Sequence, residues 1–247
     1  MSYDLRVWEK AQEGEVYVLG GDVAEGLNSG DSSVLQCRNV RTGNQAAELE
    51  GKIGPFELAE LASMLGEVYN QALVGIENPP GLGDGGANRH LFDIGYRKIY
   101  FEQQDVRQAI DRPTPRLGMA MNHRLRGRLV PQGRRWVEDG SAIINSERLI
   151  GQWETFALIN GKYQAVPGAH DDLVMGDLIA IELMRIVQLT QVNQERMGHL
   201  PHYPGAESVK DLSLPDREPT LVDRLVEKQL KKQKRERMQH SPMEALV

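Results

Sequence analysis

Two short apolar runs that each lead to an acid constrain the fold of this chain more than any other feature. The first covers residues 16–19 and reaches Asp22 through two glycines, and the second covers residues 73–76 and ends directly at Glu77. Runs of this length, rich in valine, leucine and isoleucine, are typical of buried strands. The pattern between them predicts two more strands and a helix. We expect the first and the fourth strand to lie side by side in one sheet, with Asp22 and Glu77 at their ends.

A third acidic feature is the triplet His170, Asp171 and Asp172, which opens an apolar-periodic run. The pattern predicts a helix over residues 170–188 with both aspartates in its first turn. Each acid has a structural explanation when taken alone. Asp22 and Glu77 could serve as turn formers, and aspartates in a first turn are favoured by the helix dipole.

The remaining pattern predicts an α/β fold. Turn-separated strands over residues 15–22, 32–38 and 45–49 suggest an antiparallel meander, and Pro55 starts a periodic helix. A parallel strand over residues 73–77 follows it. We therefore expect a mixed β-sheet, an antiparallel three-strand meander plus parallel strands, flanked by helices. The later elements are predicted as a helix at 87–94, a strand at 98–101, helices at 122–136 and 146–154, and a hairpin at 155–166.

Two local signals refine this prediction. Asn122 is a suitable cap for the basic helix, whereas Pro131 should kink or break it. The pair Asn160 and Gly161 is typical of a tight hairpin turn. The single cysteine, Cys37, excludes an internal disulfide and fits a buried strand position in a reducing cytoplasm. No apolar stretch is long enough to span a membrane, and the first residues lack a signal-peptide pattern.

Considered together, the acids point to a reaction. A buried group of carboxylates is unstable unless a cation neutralises it. Two Mg²⁺ or Mn²⁺ ions about 4 Å apart would do so and would serve phosphodiester hydrolysis. Oxygen ligands favour such hard ions over zinc. His170 could orient a phosphate or a ligand, or simply cap its helix.

Charge is segregated along the chain, although the net charge is -6. Residues 112–137 contain no acid and seven arginines, and a second basic run covers residues 228–237. Isolated basic runs are commonly solvated helix faces, but arginine in place of lysine favours phosphate contact. The candidates for contact with a DNA backbone are Arg124, Arg126, Arg128, Arg134 and Arg135.

Several segments, from about residue 15 to 188, resemble the C-terminal nuclease domain of tailed-phage large terminase subunits. They are residues 21–22 with 31–33, residues 76–78 before a glycine-rich loop, residues 154–156, and residues 168–174. The resemblance implies a ribonuclease H-like (resolvase-like) fold. It also implies a metal-dependent endonuclease that cuts concatemeric viral DNA when packaging starts and ends.

By position, the resemblance makes Asp22, Glu77 and one or both of Asp171 and Asp172 the metal ligands. Asp31 matches a further acid of that family and is a secondary candidate. The implied partners are double-stranded DNA, the portal protein and the small terminase subunit, in the host cytoplasm and not in the mature virion. That family also has an ATPase motor, whose phosphate-loop motif does not occur in this sequence.

The composition changes near residue 195. We predict a nuclease domain over residues 1–195, and then an extended proline-containing arm with a basic helix over residues 196–247. Two alternatives stay open. The first is a structure-selective resolvase of the same fold, and the second is a module whose arm docks onto the portal or another packaging protein.

Overall fold

The computed structural model describes residues 3–24, 31–78, 86–102 and 116–197, with side chains to residue 191. Five strands form one sheet in the order β1-β4-β3-β2-β5. Strand β5 is parallel to β2, and the other neighbouring pairs are antiparallel. The predicted meander and its parallel neighbour are thus confirmed. The strands are β1 (Tyr3–Val7), β2 (Tyr17–Asp22), β3 (Ser33–Asn39), β4 (Gln45–Gly51) and β5 (Leu73–Ile76).

Strand β1 was not predicted. It pairs with β4 at the edge of the sheet, with Leu5 opposite Leu49. Leu5 and Val7 are buried, while Asp4 and Arg6 between and before them are more exposed. Two apolar residues that alternate with charges are a weak strand signal, because the burial depends on the partner strand.

The predicted strand at residues 98–101 is only partly present. Ile99 forms a parallel bridge with Val74, supported by hydrogen bonds from Val74 N to Lys98 O (2.8 Å) and from Tyr100 N to Val74 O (2.7 Å). The chain then leaves the sheet as β6 (Phe101–Glu102), which pairs with β7 (Arg116–Leu117). The prediction was therefore wrong in giving this segment a full strand of the main sheet.

Helices cover both faces of the sheet. One core lies between the sheet and helices α1 (Pro55–Val68) and α2 (Ala87–Asp93). The opposite core contains residues of three later helices and the hairpin strand β8. These later elements are α3 (His123–Glu138), α4 (Glu147–Thr155), β8 (Phe156–Ile159), β9 (Lys162–Ala165) and α5 (Asp172–Met197).

One helix start follows the predicted capping chemistry. The Asn122 side chain accepts a hydrogen bond from Leu125 N (2.9 Å) at the start of α3. The predicted break at Pro131 is wrong, because α3 continues to Glu138. Pro131 faces solvent, while Leu129, Val130 and Gly133 on either side of it are buried. Packing on both sides of the proline outweighs the backbone hydrogen bond that it removes.

Helix α5 begins two residues later than predicted and runs to Met197 rather than to about residue 188. Its first helical hydrogen bond joins Met175 N to Asp171 O (2.9 Å), so Asp171 occupies the capping position and Asp172 is the first helical residue. The predicted hairpin is confirmed, with Asn160 and Gly161 both at positive φ in its turn.

Backbone contact fixes α5 against the sheet. A methyl group added to Gly20 of β2 would lie 2.2 Å from Ala180 N and 2.3 Å from Gly176 O. Glycine is required at such an approach because any side chain would separate the two elements. This contact packs the N-terminal half of α5 against β2.

The prediction of a buried Cys37 is confirmed. Within the described ranges, none of the helices has the length and apolar character needed to cross a membrane. Loop residues 79–85, Arg112 and the predicted arm and C-terminal helix beyond residue 197 lie outside the described residues.

Candidate metal centre

The register of two parallel strands brings Asp22 and Glu77 together. Gly21 of β2 lies opposite Ile76 of β5, and Glu77 N donates a hydrogen bond to Gly21 O (2.8 Å). Each acid is the next residue along its chain. The sequence prediction that both acids lie at neighbouring strand ends is therefore confirmed.

The Asp22 and Glu77 carboxyl groups lie close enough to shift each other's pKa. Burial raises the pKa of Asp22 well above its ordinary value, and the nearby charges of Glu77, Asp172 and Asp171 raise it further. Burial also raises the pKa of Glu77, while a hydrogen bond from Asp22 and the charge of Arg126 act in the opposite direction. Burial and the neighbouring acids thus favour the neutral form of Asp22 more than is usual for an aspartate.

The paired aspartates of the triplet are anchored to different segments. Asp171 Oδ2 accepts a hydrogen bond from Ala165 N (3.2 Å), at the end of β9. Asp172 Oδ2 accepts one from Ser32 N (2.9 Å), just before β3. Both carboxylates interact electrostatically with Asp22, so both belong to the same acidic group.

A second group of possible ligands adjoins the first. Ligand atoms of Asp31, His170 and Asp172 all lie within 4.8 Å of one another, and His170 Nδ1 is 3.9 Å from Asp31 Oδ1. Burial raises the pKa of Asp172, and the charges of Asp31 and Asp171 raise it further. The Ser32 N–H and His170 act to lower it. Asp31 and His170 are exposed, which places them at the mouth of the site.

The structure separates the five predicted DNA-binding arginines. Arg126 lies at the acidic site, where its charge lowers the pKa of Glu77 and its Nη1 donates to Tyr163 O (3.3 Å). Arg128 and Arg134 are exposed but bind within the protein, to Glu182 (2.9 Å) and to Phe156 O (2.5 Å) respectively.

Arg124 and Arg135 are exposed on α3. A DNA-binding role for this set stays a prediction.

Three groups at the site had no signal in the sequence. The amides of Ser32 and Ala165 hold the two aspartates, and backbone donors cannot be read from residue type. Gln152 of α4 accepts hydrogen bonds from the first amides of α5 (2.9 Å to Leu173 N and 3.4 Å to Val174 N). Gln152 lies two residues before the segment 154–156 that contributes to the family resemblance, but nothing in its sequence context indicates this contact.

No protein-family model matches the chain, and no curated protein matches it. Solved structures do. The large terminase nuclease from thermophilic phage G20c is 18% identical, with a TM-score of 0.55, over 72% of this chain and 87% of that chain. The chain has the fold of a phage large terminase nuclease.

Two more solved structures agree. The nuclease domain of the large terminase from Thermus phage P74-26 gives 18% identity and a TM-score of 0.53, over 71% of this chain and 83% of that chain. The G20c nuclease with bound magnesium gives 16% identity and a TM-score of 0.52, over 72% and 86%. These likenesses confirm the predicted ribonuclease H-like fold. The G20c nuclease has also been crystallised with bound cobalt and with bound zinc.

Proposed function

We propose that this protein is a divalent-metal-dependent endonuclease that cuts concatemeric double-stranded viral DNA during genome packaging. One observation carries the proposal: five acids meet at one edge of the sheet, and Arg126 and His170 are the basic residues that act on them within the described part of the chain. A cluster of acids in which Asp172 is buried and Asp22, Glu77 and Asp171 are half-buried favours a bound cation. The acids are Asp22, Asp31, Glu77, Asp171 and Asp172.

The donor set fits Mg²⁺ or Mn²⁺. Carboxylate oxygens suit hard ions. A raised pKa, as at Asp22, is expected for a metal ligand that lies among other carboxylates. The residues that would hold such ions are Asp22, Glu77, Asp171 and Asp172, with Asp31 and His170 beside Asp172 at the mouth of the site. The same fold in phage G20c was crystallised with bound magnesium, which supports this assignment.

Bound ions of this kind lower the pKa of an attacking water and stabilise the leaving 3′-oxygen. The chain's own groups prepare the site for them. Because burial raises the pKa of Asp22 and metal binding needs its carboxylate form, metal affinity should rise with pH. The amides of Ser32 and Ala165 hold two carboxylates in place before any ion binds. Arg126, beside Glu77, is available for a phosphate oxygen of the substrate.

The substrate assignment rests on the fold and on the basic helix. Arg124 and Arg135 are exposed on α3, the same helix that brings Arg126 to the site. Arginines in this arrangement would contact the DNA backbone without reading bases, and the affinity should fall with salt. The expected partners are an ATPase motor domain, the portal protein and the small terminase subunit, in the host cytoplasm.

Cleavage of supercoiled plasmid tests the proposal. We expect nicked and linear products with Mn²⁺ or Mg²⁺, and intact plasmid with EDTA. Asp22→Asn should be inactive, whereas Asp93→Asn, which changes an exposed acid paired with Arg89 on α2, should cut like the wild type. Equal cutting by wild type and Asp22→Asn would contradict the proposal. Preference for a four-way junction over linear duplex would instead favour a resolvase.

A further inference from the structure

The N-terminus of α5 is capped by a side chain from another helix. An aspartate in the capping position normally accepts hydrogen bonds from the second and third amides of its own helix. With Asp171 at the cap, those amides belong to Leu173 and Val174. Here Gln152 Oε1 accepts from both of them, at 2.9 and 3.4 Å.

Because Gln152 accepts these hydrogen bonds, the carboxylates of Asp171 and Asp172 are free to make other contacts. Asp171 Oδ2 accepts from Ala165 N, and Asp172 Oδ2 accepts from Ser32 N, so neither carboxylate is drawn back onto its own helix. We propose that Gln152 is a positioning residue that replaces Asp171 as the helix cap and so keeps the Asp171 carboxylate directed to the metal centre. The proposal deepens, and rests on, the proposed nuclease function.

Helix α4 holds Gln152 firmly. Ser146 caps the start of α4 by accepting from Leu149 N (3.2 Å), and Leu149 is fully buried. Thr155 Oγ1 donates near the other end, to Gly151 O (3.3 Å) and Gln152 O (3.1 Å). Because the backbone of Gln152 is fixed at both ends of this short helix, its side chain reaches the amides of α5 in a defined geometry.

Loss of the acceptor should change what Asp171 binds. Without Gln152, the amides of Leu173 and Val174 need an acceptor, and the Asp171 carboxylate is the local group that suits them. A rotation of Asp171 onto its own helix would break its bond with Ala165 N and remove one acid from the metal centre.

The first readout is Mn²⁺ binding by titration calorimetry. Gln152→Leu, which keeps the bulk but has no acceptor, should bind Mn²⁺ about tenfold more weakly than wild type, the scale typical of changes to groups that orient metal ligands. Gln152→Glu retains the acceptor and should keep at least wild-type affinity. Gln12→Leu, at an exposed position near the other end of β2, is the matched control and should not change it. Wild-type affinity in Gln152→Leu would overturn the proposal.

The second readout is amide hydrogen exchange without metal. In Gln152→Leu, exchange at Ala165 should accelerate about tenfold while the amides of β3 keep their protection. Unchanged protection at Ala165, or an equal acceleration throughout β3, would overturn the positioning role. This result separates the two ideas: a wild-type protein that binds no Mn²⁺ would refute the proposed nuclease, while exchange at Ala165 would still decide the role of Gln152.

Discussion

Helix α5 buries two aspartates, five positions apart, in opposite electrostatic surroundings. Asp177 Oδ1 is 2.7 Å from Arg38 Nε, and both side chains are 0% exposed. Asp172 is buried among other acids. The charges of Asp31 and Asp171 raise its pKa, and its own charge raises the pKa of Asp22. One acid therefore has a cation within the fold, whereas the other lies among acids.

Glu48 belongs with Asp177 in this respect. It is fully buried on β4, and it accepts hydrogen bonds from Gln36, Ser146 and Arg148 at 2.7 to 3.1 Å. The fold can therefore neutralise a buried acid when the acid is structural. Among the described residues, the charged groups that act on Asp22 are acids, which is the contrast that the proposed metal ions would explain.

The largest effect should follow from removing the central acid of the site. Asp22→Asn should reduce plasmid cleavage at least about 1,000-fold, about 4 kcal/mol of transition-state stabilisation, because the proposed metal centre loses a carboxylate ligand. Its thermal stability in EDTA should equal or exceed that of the wild type, since charge repulsion is relieved. A variant that is both inactive and unfolded would make Asp22 a structural acid like Asp177.

The structural acid should respond in the opposite way. Asp177→Asn leaves the guanidinium of Arg38 buried without its counter-charge and should destabilise the protein by about 3–5 kcal/mol in urea denaturation. Cleavage per folded molecule should stay close to that of the wild type. A loss of cleavage without a loss of stability would place Asp177 in the site and remove the contrast between the two acids.

Metal binding at the acidic site should stabilise the folded protein against unfolding. Mn²⁺ at 100 times its dissociation constant should raise the free energy of unfolding of the wild type by about 2.7 kcal/mol, measured by urea denaturation. Asp22→Asn should gain little, while Asp93→Asn should gain as much as the wild type. Equal gains in all three proteins would mean that Mn²⁺ binds elsewhere.

The pH dependence should be the smallest effect. The pKa values of Asp22, Glu77 and Asp172 are raised in the folded state, so the folded protein binds more protons than the unfolded chain above the ordinary pKa of these groups. Their contribution to stability is thus fully present at low pH and is lost as pH rises through the folded pKa values. Without metal, the stability difference between wild type and Asp22→Asn should move against the wild type as pH rises; a constant difference would contradict the assigned shift.

The sequence predicted the parts of the site that depend on strand order. Asp22 and Glu77 follow two apolar runs that pair in parallel, so their proximity follows from topology. The anchoring of Asp171 and Asp172 could not be predicted, because it uses backbone amides of Ala165 and Ser32. Gln152 was also missed, since its contact crosses between two helices and has no local pattern.

The same limit applies to the basic helix and the sheet edge. Residue type indicated phosphate contact for all five arginines, but α3 turns Arg126 toward the site and pairs Arg128 with Glu182. Strand β1 depends on β4 for its burial, which a short alternating segment does not reveal. Periodicity and strand ends were thus predictable, whereas side-chain direction and long-range partners were not.

The most direct test of the central claim is anomalous diffraction from crystals of the protein soaked in Mn²⁺. We predict two manganese peaks at the carboxyl ends of β2 and β5, in contact with Asp22 and Glu77. Soaked crystals of Asp22→Asn should lose both peaks. Manganese absent from Asp22 and Glu77 at saturating concentration, in crystals that bind it elsewhere, would contradict the claim that these acids are held for external cations.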